Sequence, residues 1–195
     1  MTVAEYQTQV HSFKKNGKNP LLYNIVDIAK NAGDLSAVWG SFAVGCPSDT
    51  MRWDVIKAHI VKSLAGILGD IAELSTALGL DLETNVLHNS QKLDAVPTND
   101  LSLMVLGLVS YAGKLCSLVT QNIEKTGDSA FFTEAIAASM NAASKDTIGA
   151  AIVHEMTALG SCIIDIAKRT NMSFGDIMVM SIYVLGNNAS EEKKE

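Results

Sequence analysis

Apolar residues recur at three- and four-residue steps along most of this chain, and that period commits it to helices. Between Pro20 and Gly40 the series Leu22, Ile25, Val26, Ala29, Ala32, Gly33 and Leu35 follows the helical repeat. No stretch alternates apolar and polar residues for long enough to suggest a half-buried strand. Only three prolines occur in 195 residues, and 48% of the chain is apolar, so core material is ample. The expected fold is all-α, an antiparallel helical bundle with short connections.

Caps and breakers divide the chain. Thr2 and Glu5 have capping-box spacing, which predicts a first helix over about Val3 to Lys14. Gly17 and Pro20 interrupt it, and Pro20 suits the first turn of a second helix that fades between Gly40 and Gly45. Pro47, Ser48 and Asp49 form a loop ending in good N-cap residues. A long third helix is expected from Thr50 to Leu78, stopped by Gly79, with Asp81 capping a fourth that ends near Asp94. Ala95 to Asn99, with Pro97, is the best internal boundary. The second half repeats the order. A helix is expected over about Asp100 to Lys125, an extra one over Ser129 to Ala143, and a long one over about Asp146 to Arg169 ended by Asn171. A last helix is capped by Ser173, with Asp176 three residues on. Two units follow, residues 1–96 and 97–186, with a polar, disordered tail over 187–195.

Bulk charge excludes some partners. A net charge of −6 with scattered basic residues argues against a nucleic-acid groove. The nearest cluster, Lys14, Lys15 and Lys18, reads as a solvated helix end. Cys46, Cys116 and Cys162 are odd in number and lack paired spacing, which favours a reducing, cytoplasmic setting over a disulfide framework. The polar, amphipathic start is not a signal peptide, and the longest uncharged runs fall short of the roughly 18 residues of a membrane span, so no membrane partner is expected.

Two segments share a frame eighty residues apart, Asp27 to Leu35 and Gly107 to Leu115. The first, with the opening Met1 to Gln7, the stretch Ile67-Leu68-Gly69-Asp70, and Leu78 to Glu83 followed by Asn89 to Leu93, resembles the all-α nucleoside triphosphate pyrophosphohydrolases, the MazG-like family, especially phage and bacterial members. The resemblance covers about Met1 to Asp94, with a fainter echo from Asp100 to Leu185. It implies tandem MazG-like units forming a single-chain pseudo-dimer. It also implies two carboxylates one turn apart on one helix, facing two on the next and holding Mg²⁺ for release of a nucleoside monophosphate and pyrophosphate. Carried over position by position, the metal set becomes Asn31, Asp34, Ile67 and Asp70, of which Asn31, Asp34 and Asp70 retain oxygen donors. The second-half equivalents are Tyr111, Lys114, Leu159 and Cys162, none a carboxylate. Lys30, Asn89 and Lys92 are the nucleotide-binding candidates the resemblance implies.

Plainer readings stand beside these. Asp34 and Asp70, next to glycines in apolar surroundings, suggest a polar central cleft, while Glu73, one turn past Asp70, fits a solvated face better than a place in the site. Gly33 and Gly113 fit close helix contacts. Trp39 and Trp53 flank a loop and fit packing, with stacking on a base as the other reading; Tyr23 and Tyr111 invite the same two. No zinc motif accompanies His154. No catalytic residue is assigned. Depleted ligands in a retained frame point first to a catalytically impaired protein that binds a nucleotide, a nucleotide-derived signal or a protein partner. The alternatives are a weak Mg²⁺-dependent pyrophosphohydrolase and a purely structural interaction protein, either of them able to form a homo-oligomer.

Overall fold

In the computed structural model the described residues are 1–14, 20–44, 53–126 and 148–191. All regular structure among them is helical: α1 (Val3–Lys14), α2 (Pro20–Ala43), α3 (Trp53–Ala77), a π-helical segment (Leu82–Leu87) running into a single α-turn, α4 (His88–Ser90), then α5 (Leu101–Thr126), α6 (Ile148–Arg169) and α7 (Phe174–Glu191). The helix expected over Ser129 to Ala143 lies outside the described residues, as do Cys46 and Lys15.

Side chains close the helix ends as their spacing predicts. Thr2 N donates to Glu5 Oε2 at 2.7 Å and Glu5 N to Thr2 Oγ1 at 3.2 Å, a reciprocal box that starts α1. Ser173 and Asp176 make the same exchange at the start of α7, at 3.2 and 3.0 Å. Asp100 Oδ1 accepts Ser102 N at 2.8 Å ahead of α5. Asp81 Oδ1 accepts Thr84 N at 2.7 Å, but the segment it caps is π-helical and its α-turn ends at Ser90, short of the expected Asp94. At the other end of the chain α7 runs to Glu191, so the first part of the expected disordered tail is helical.

The two long helices end alike. After α3, Leu80 N reaches Ser75 O at 2.8 Å and Gly79 N reaches Thr76 O at 3.0 Å; after α6, Met172 N reaches Ala167 O at 2.9 Å and Asn171 N reaches Lys168 O at 3.3 Å. Gly79 (φ 69°) and Asn171 (φ 53°) are the left-handed residues these turns require.

Helix α2 packs on α3 and on α5; α5 packs on α6; α3 also carries α1 and α7, which touch each other. Late residues of α2 meet early residues of α5, and the reverse: Trp39 Nε1 donates to Ser102 Oγ at 3.0 Å, and Cys116 lies 3.7 Å from Ile25 O. These two helices are therefore antiparallel. The π-helical segment and α4, which follow α3 in the chain, pack on α6, whereas α7, which follows α6, packs on α3. Small residues allow both contacts. A Cβ on Gly69 would lie 2.8 Å from Ser181 Oγ of α7, and one on Gly160 would collide with Ser90, whose Oγ donates to Thr157 O at 2.8 Å. One hydrophobic core draws on residues from Tyr6 to Met178, so residues 1–96 and 97–186 are not separate domains.

The exposure pattern of α2 from Tyr23 to Val38 repeats position for position in α5 from Leu103 to Leu118. The buried stripe is Asn24, Ile25, Ile28, Ala32 and Leu35 in α2, and Met104, Val105, Leu108, Ala112 and Leu115 in α5. It is rotated from the stripe the apolar spacing suggests: Leu22 and Val26 face outward, while polar Asn24 is inside.

Replacing Gly79 by Ala forces a Cβ into left-handed backbone and is expected to cost about 1–2 kcal/mol in denaturant unfolding, whereas Asn171→Gly should change stability little. The capping carboxylates Glu5, Asp81 and Asp176 are each held below the ordinary range by hydrogen bonds to the helix start. Their stabilisation is present above the unfolded value of about 4 and is lost as pH falls through the lower folded values. Thermal midpoints measured downward from pH 5 should fall, and fall less in Glu5→Gln.

Candidate functional site

Helices α2 and α3 bring Asn31 and Asp70 together. Asn31 Nδ2 lies 3.4 Å from Asp70 Oδ2, a long hydrogen bond. Gly66, one turn before Asp70, makes room for it: a Cβ there would sit 2.6 Å from Asn31 Nδ2. Asp70 is 3% exposed and Ile67 is wholly in the core. Asp34 lies on the outer side of α2, exposed, as does Lys30. The expectation of one polar cleft holding both Asp34 and Asp70 is therefore corrected: Asp34, one turn on from Asn31 and about 60° further round α2, is exposed while Asp70 is buried.

Glu73 is also corrected. It is 3% exposed, not on a solvated face, and its carboxylate meets His11 Nδ1 of α1 at 3.0 Å. Next to this pair Tyr6 donates to Ser181 Oγ at 2.9 Å, and burial, reinforced by the Asp70 charge, pushes the Tyr6 phenol well above its ordinary value. Gln7 fixes α1 in place: its Nε2 donates to Thr76 Oγ1 at 3.1 Å and to Leu80 O at 2.8 Å, while its Oε1 accepts Leu82 N at 2.9 Å. The α1 partners of this acidic face escaped the sequence reading. The available signal was the spacing of Gln7 and His11, four apart on one side of α1, with Tyr6 and Val10 beside them.

Of the second-half positions, Tyr111 is partly buried and Cys162 buried, and burial pushes the Tyr111 phenol up. Tyr111 donates to Ala95 O at 2.9 Å, and Lys114 Nζ stands 4.7 Å from the centroid of its ring. Leu159 is fully buried. Burial, with the Asp165 charge, pushes the Cys162 thiol up to about 12. Gly33 and Gly113 make no close helix contact, since a Cβ on either would meet nothing within 4 Å.

Asn89 and Lys92 are brought together elsewhere. They line a shallow depression of about 390 Å³ with Leu93, Ala150, Val153, His154 and Thr157, between α4 and α6. No residue of α2 or α3 lines it, so Lys30 and the Asn31–Asp70 pair are not part of it. Trp39, Phe42 and Trp53 form an aromatic row with centroids 5.4 and 6.0 Å apart, which favours the packing reading of both tryptophans.

Magnesium asks for several hard oxygen donors in octahedral array. Here one buried carboxylate already accepts an amide donor, the second carboxylate, one turn along α2 from that amide, is exposed, and the remaining position is Ile67. That donor set does not fit the ion. Among the described residues no three His, Cys, Asp or Glu side chains converge. By length and composition Leu101–Gln121 and Ile148–Arg169 are each apolar enough to cross a membrane; 61% of the second window is buried in the protein, as in a core helix, against 33% of the first.

Asn31→Asp would set a second carboxylate about 3.4 Å from Asp70. Mutual repulsion raises a folded-state pKa, so the penalty appears as pH rises above about 4. Urea unfolding should show near wild-type stability at pH 4 and a loss of about 1–3 kcal/mol at pH 7. Cys116, whose thiol burial also pushes up, and Cys162 should both stay unlabelled by thiol reagents in the native protein at pH 8. Comparison with known proteins leaves the chain on its own terms: no family profile, curated protein or solved structure matches it.

Proposed function

We propose that this chain is a divergent MazG-like protein that works by binding and not by turnover. Its two halves are read as tandem units about a pseudo-two-fold axis, a single-chain pseudo-dimer. The repeated exposure pattern of α2 and α5, the matching ends of α3 and α6, and the reciprocal placement of α4 and α7 support that reading.

The observation that carries the loss of catalysis is the Asn31–Asp70 contact above a buried Ile67. Where the family resemblance implies facing carboxylates, an amide is bonded to the one acid of that set that remains inside. A metal there would have to displace that amide and would find too few charged oxygens to replace its water. The bound species is a nucleotide or nucleotide-derived signal. Lys92 and His154 offer cationic or hydrogen-bonding contacts to its phosphates, and Asn89 and Thr157 offer polar ones, in a depression of a size that small ligands use.

Isothermal titration of the full chain with a panel of nucleotides, with and without Mg²⁺, tests the reading. Binding is expected without a requirement for Mg²⁺, weakened at least tenfold by Lys92→Ala and little changed by Asp34→Ala. Pyrophosphate release from the same panel is expected to stay at the blank. Release that is abolished by Asp70→Ala would show a working hydrolase, and absence of heat with every nucleotide would leave binding of a protein partner as the function.

A further inference from the structure

The chain between α4 and α5 is not helical, yet it is tied down along its length. Ser161 of α6 donates to Leu93 O, and Tyr111 of α5 donates to Ala95 O at 2.9 Å. Val96 fills the space beside Gly107, where a Cβ would collide with it. Thr98 N turns back to Val96 O at 2.7 Å, and Thr98 Oγ1 accepts Asp100 N at 3.0 Å. A wall anchored in this way is set before any ligand arrives.

Facing that wall is the last turn of α6, and between them lies a hollow of about 590 Å³, within the range that small-molecule sites occupy. Pro97 and Met104 give it an apolar lining, and charges of both signs surround them. Lys168 and Asp165 pair with each other at 3.3 Å. Arg169 on α6 and Asp94 on the connection have no ion-pair partner among the described residues, and they do not pair across the hollow that both line. Arg169 is not needed to close the helix, because Ile166 O, Ala167 O and Lys168 O already accept Thr170 N, Met172 N and Asn171 N. Opposite charges held apart on two walls, with apolar surface between them, match a molecule that carries both charges itself.

We propose that this hollow is a binding site for a free α-amino acid with an apolar side chain. The Arg169 guanidinium donates to the carboxylate, for which its planar fork is suited. Asp94 accepts from the ammonium, and the side chain lies against Met104 and Pro97. The inference is independent of nucleotide binding, because the hollow shares no lining residue with the depression between α4 and α6.

Isothermal titration of the full chain with L-leucine, L-methionine and L-phenylalanine tests it. Binding of at least one is expected, weakened about tenfold or more by Arg169→Gln and by Asp94→Asn, with unchanged circular dichroism in both variants. For each amino acid that binds, the matching acid without the amino group and the matching amine without the carboxylate should each bind about tenfold more weakly or worse, since either leaves one charged wall unanswered. Absence of heat with all of these amino acids overturns the proposal. So does a deaminated acid that binds as tightly as its amino acid, which would make the hollow a plain anion site. Binding that neither Arg169→Gln nor Asp94→Asn changes also overturns it, because the amino acid would then sit elsewhere.

Discussion

Helices α3 and α6 are buried nearly all round at their middles, and everything else in the molecule is arranged to cover them. From Ser63 to Ser75 in α3, and from Met156 to Ile163 in α6, almost every side chain is inside. A helix with one apolar stripe needs one neighbour; a helix buried on all sides needs several. Each half of the chain supplies its own long helix with cover, α2 and α1 for α3 and α5 for α6. Further cover for each comes from the other half, α7 for α3 and the π-helical segment with α4 for α6. Among the described residues the two halves therefore share one core.

Close approach makes this exchange possible. Gly69 and Gly160 receive Ser181 and Ser90, so helix backbones draw near without leaving voids. The serine hydroxyls do not go unsatisfied: Ser90 returns its proton to backbone carbonyls and Ser181 accepts from Tyr6. The resulting polar thread, from Tyr6 through Ser181 towards Asp70 and Asn31, runs beside the acidic face of α3. His11 and Glu73 complete it from α1. A region that could have been an open acidic cleft is instead roofed by α1, with Asp70 accepting from the Asn31 amide and Glu73 meeting the His11 imidazole. The depression that Asn89 and Lys92 line is separate from this face and lies between α4 and α6.

Much of the helix plan was legible in the residues because it rests on local chemistry. Thr2 with Glu5, Ser173 with Asp176, Asp81, Gly79 and Asn171 each act within a turn of their own position, and each does in the structure what its spacing suggests. The π-helical geometry of Leu82–Leu87 has no such local mark. The candidate site was legible only in part. Asn31 and Asp70 do meet, because their helices pack at the repeated register. Asp34 and Glu73 were assigned to the wrong sides, because the rotation of a helix about its axis depends on its neighbours. With covers on two sides, α2 turns Asn24 inward and leaves Val26 outside.

The sequence alone determined that this protein is helical, where most of its helices begin and end, and that its halves share a pattern. Those are matters of period, caps and glycines, which depend on the next few residues. The tertiary structure alone decided which half covers which, that Glu73 is buried against His11, that Asn89 and Lys92 stand apart from Asp70, and that Tyr23, Val26, Leu103 and Leu106 stand exposed. Those outcomes depend on how whole helices rotate and approach so as to bury two long rods at once, and no local window of residues contains that information.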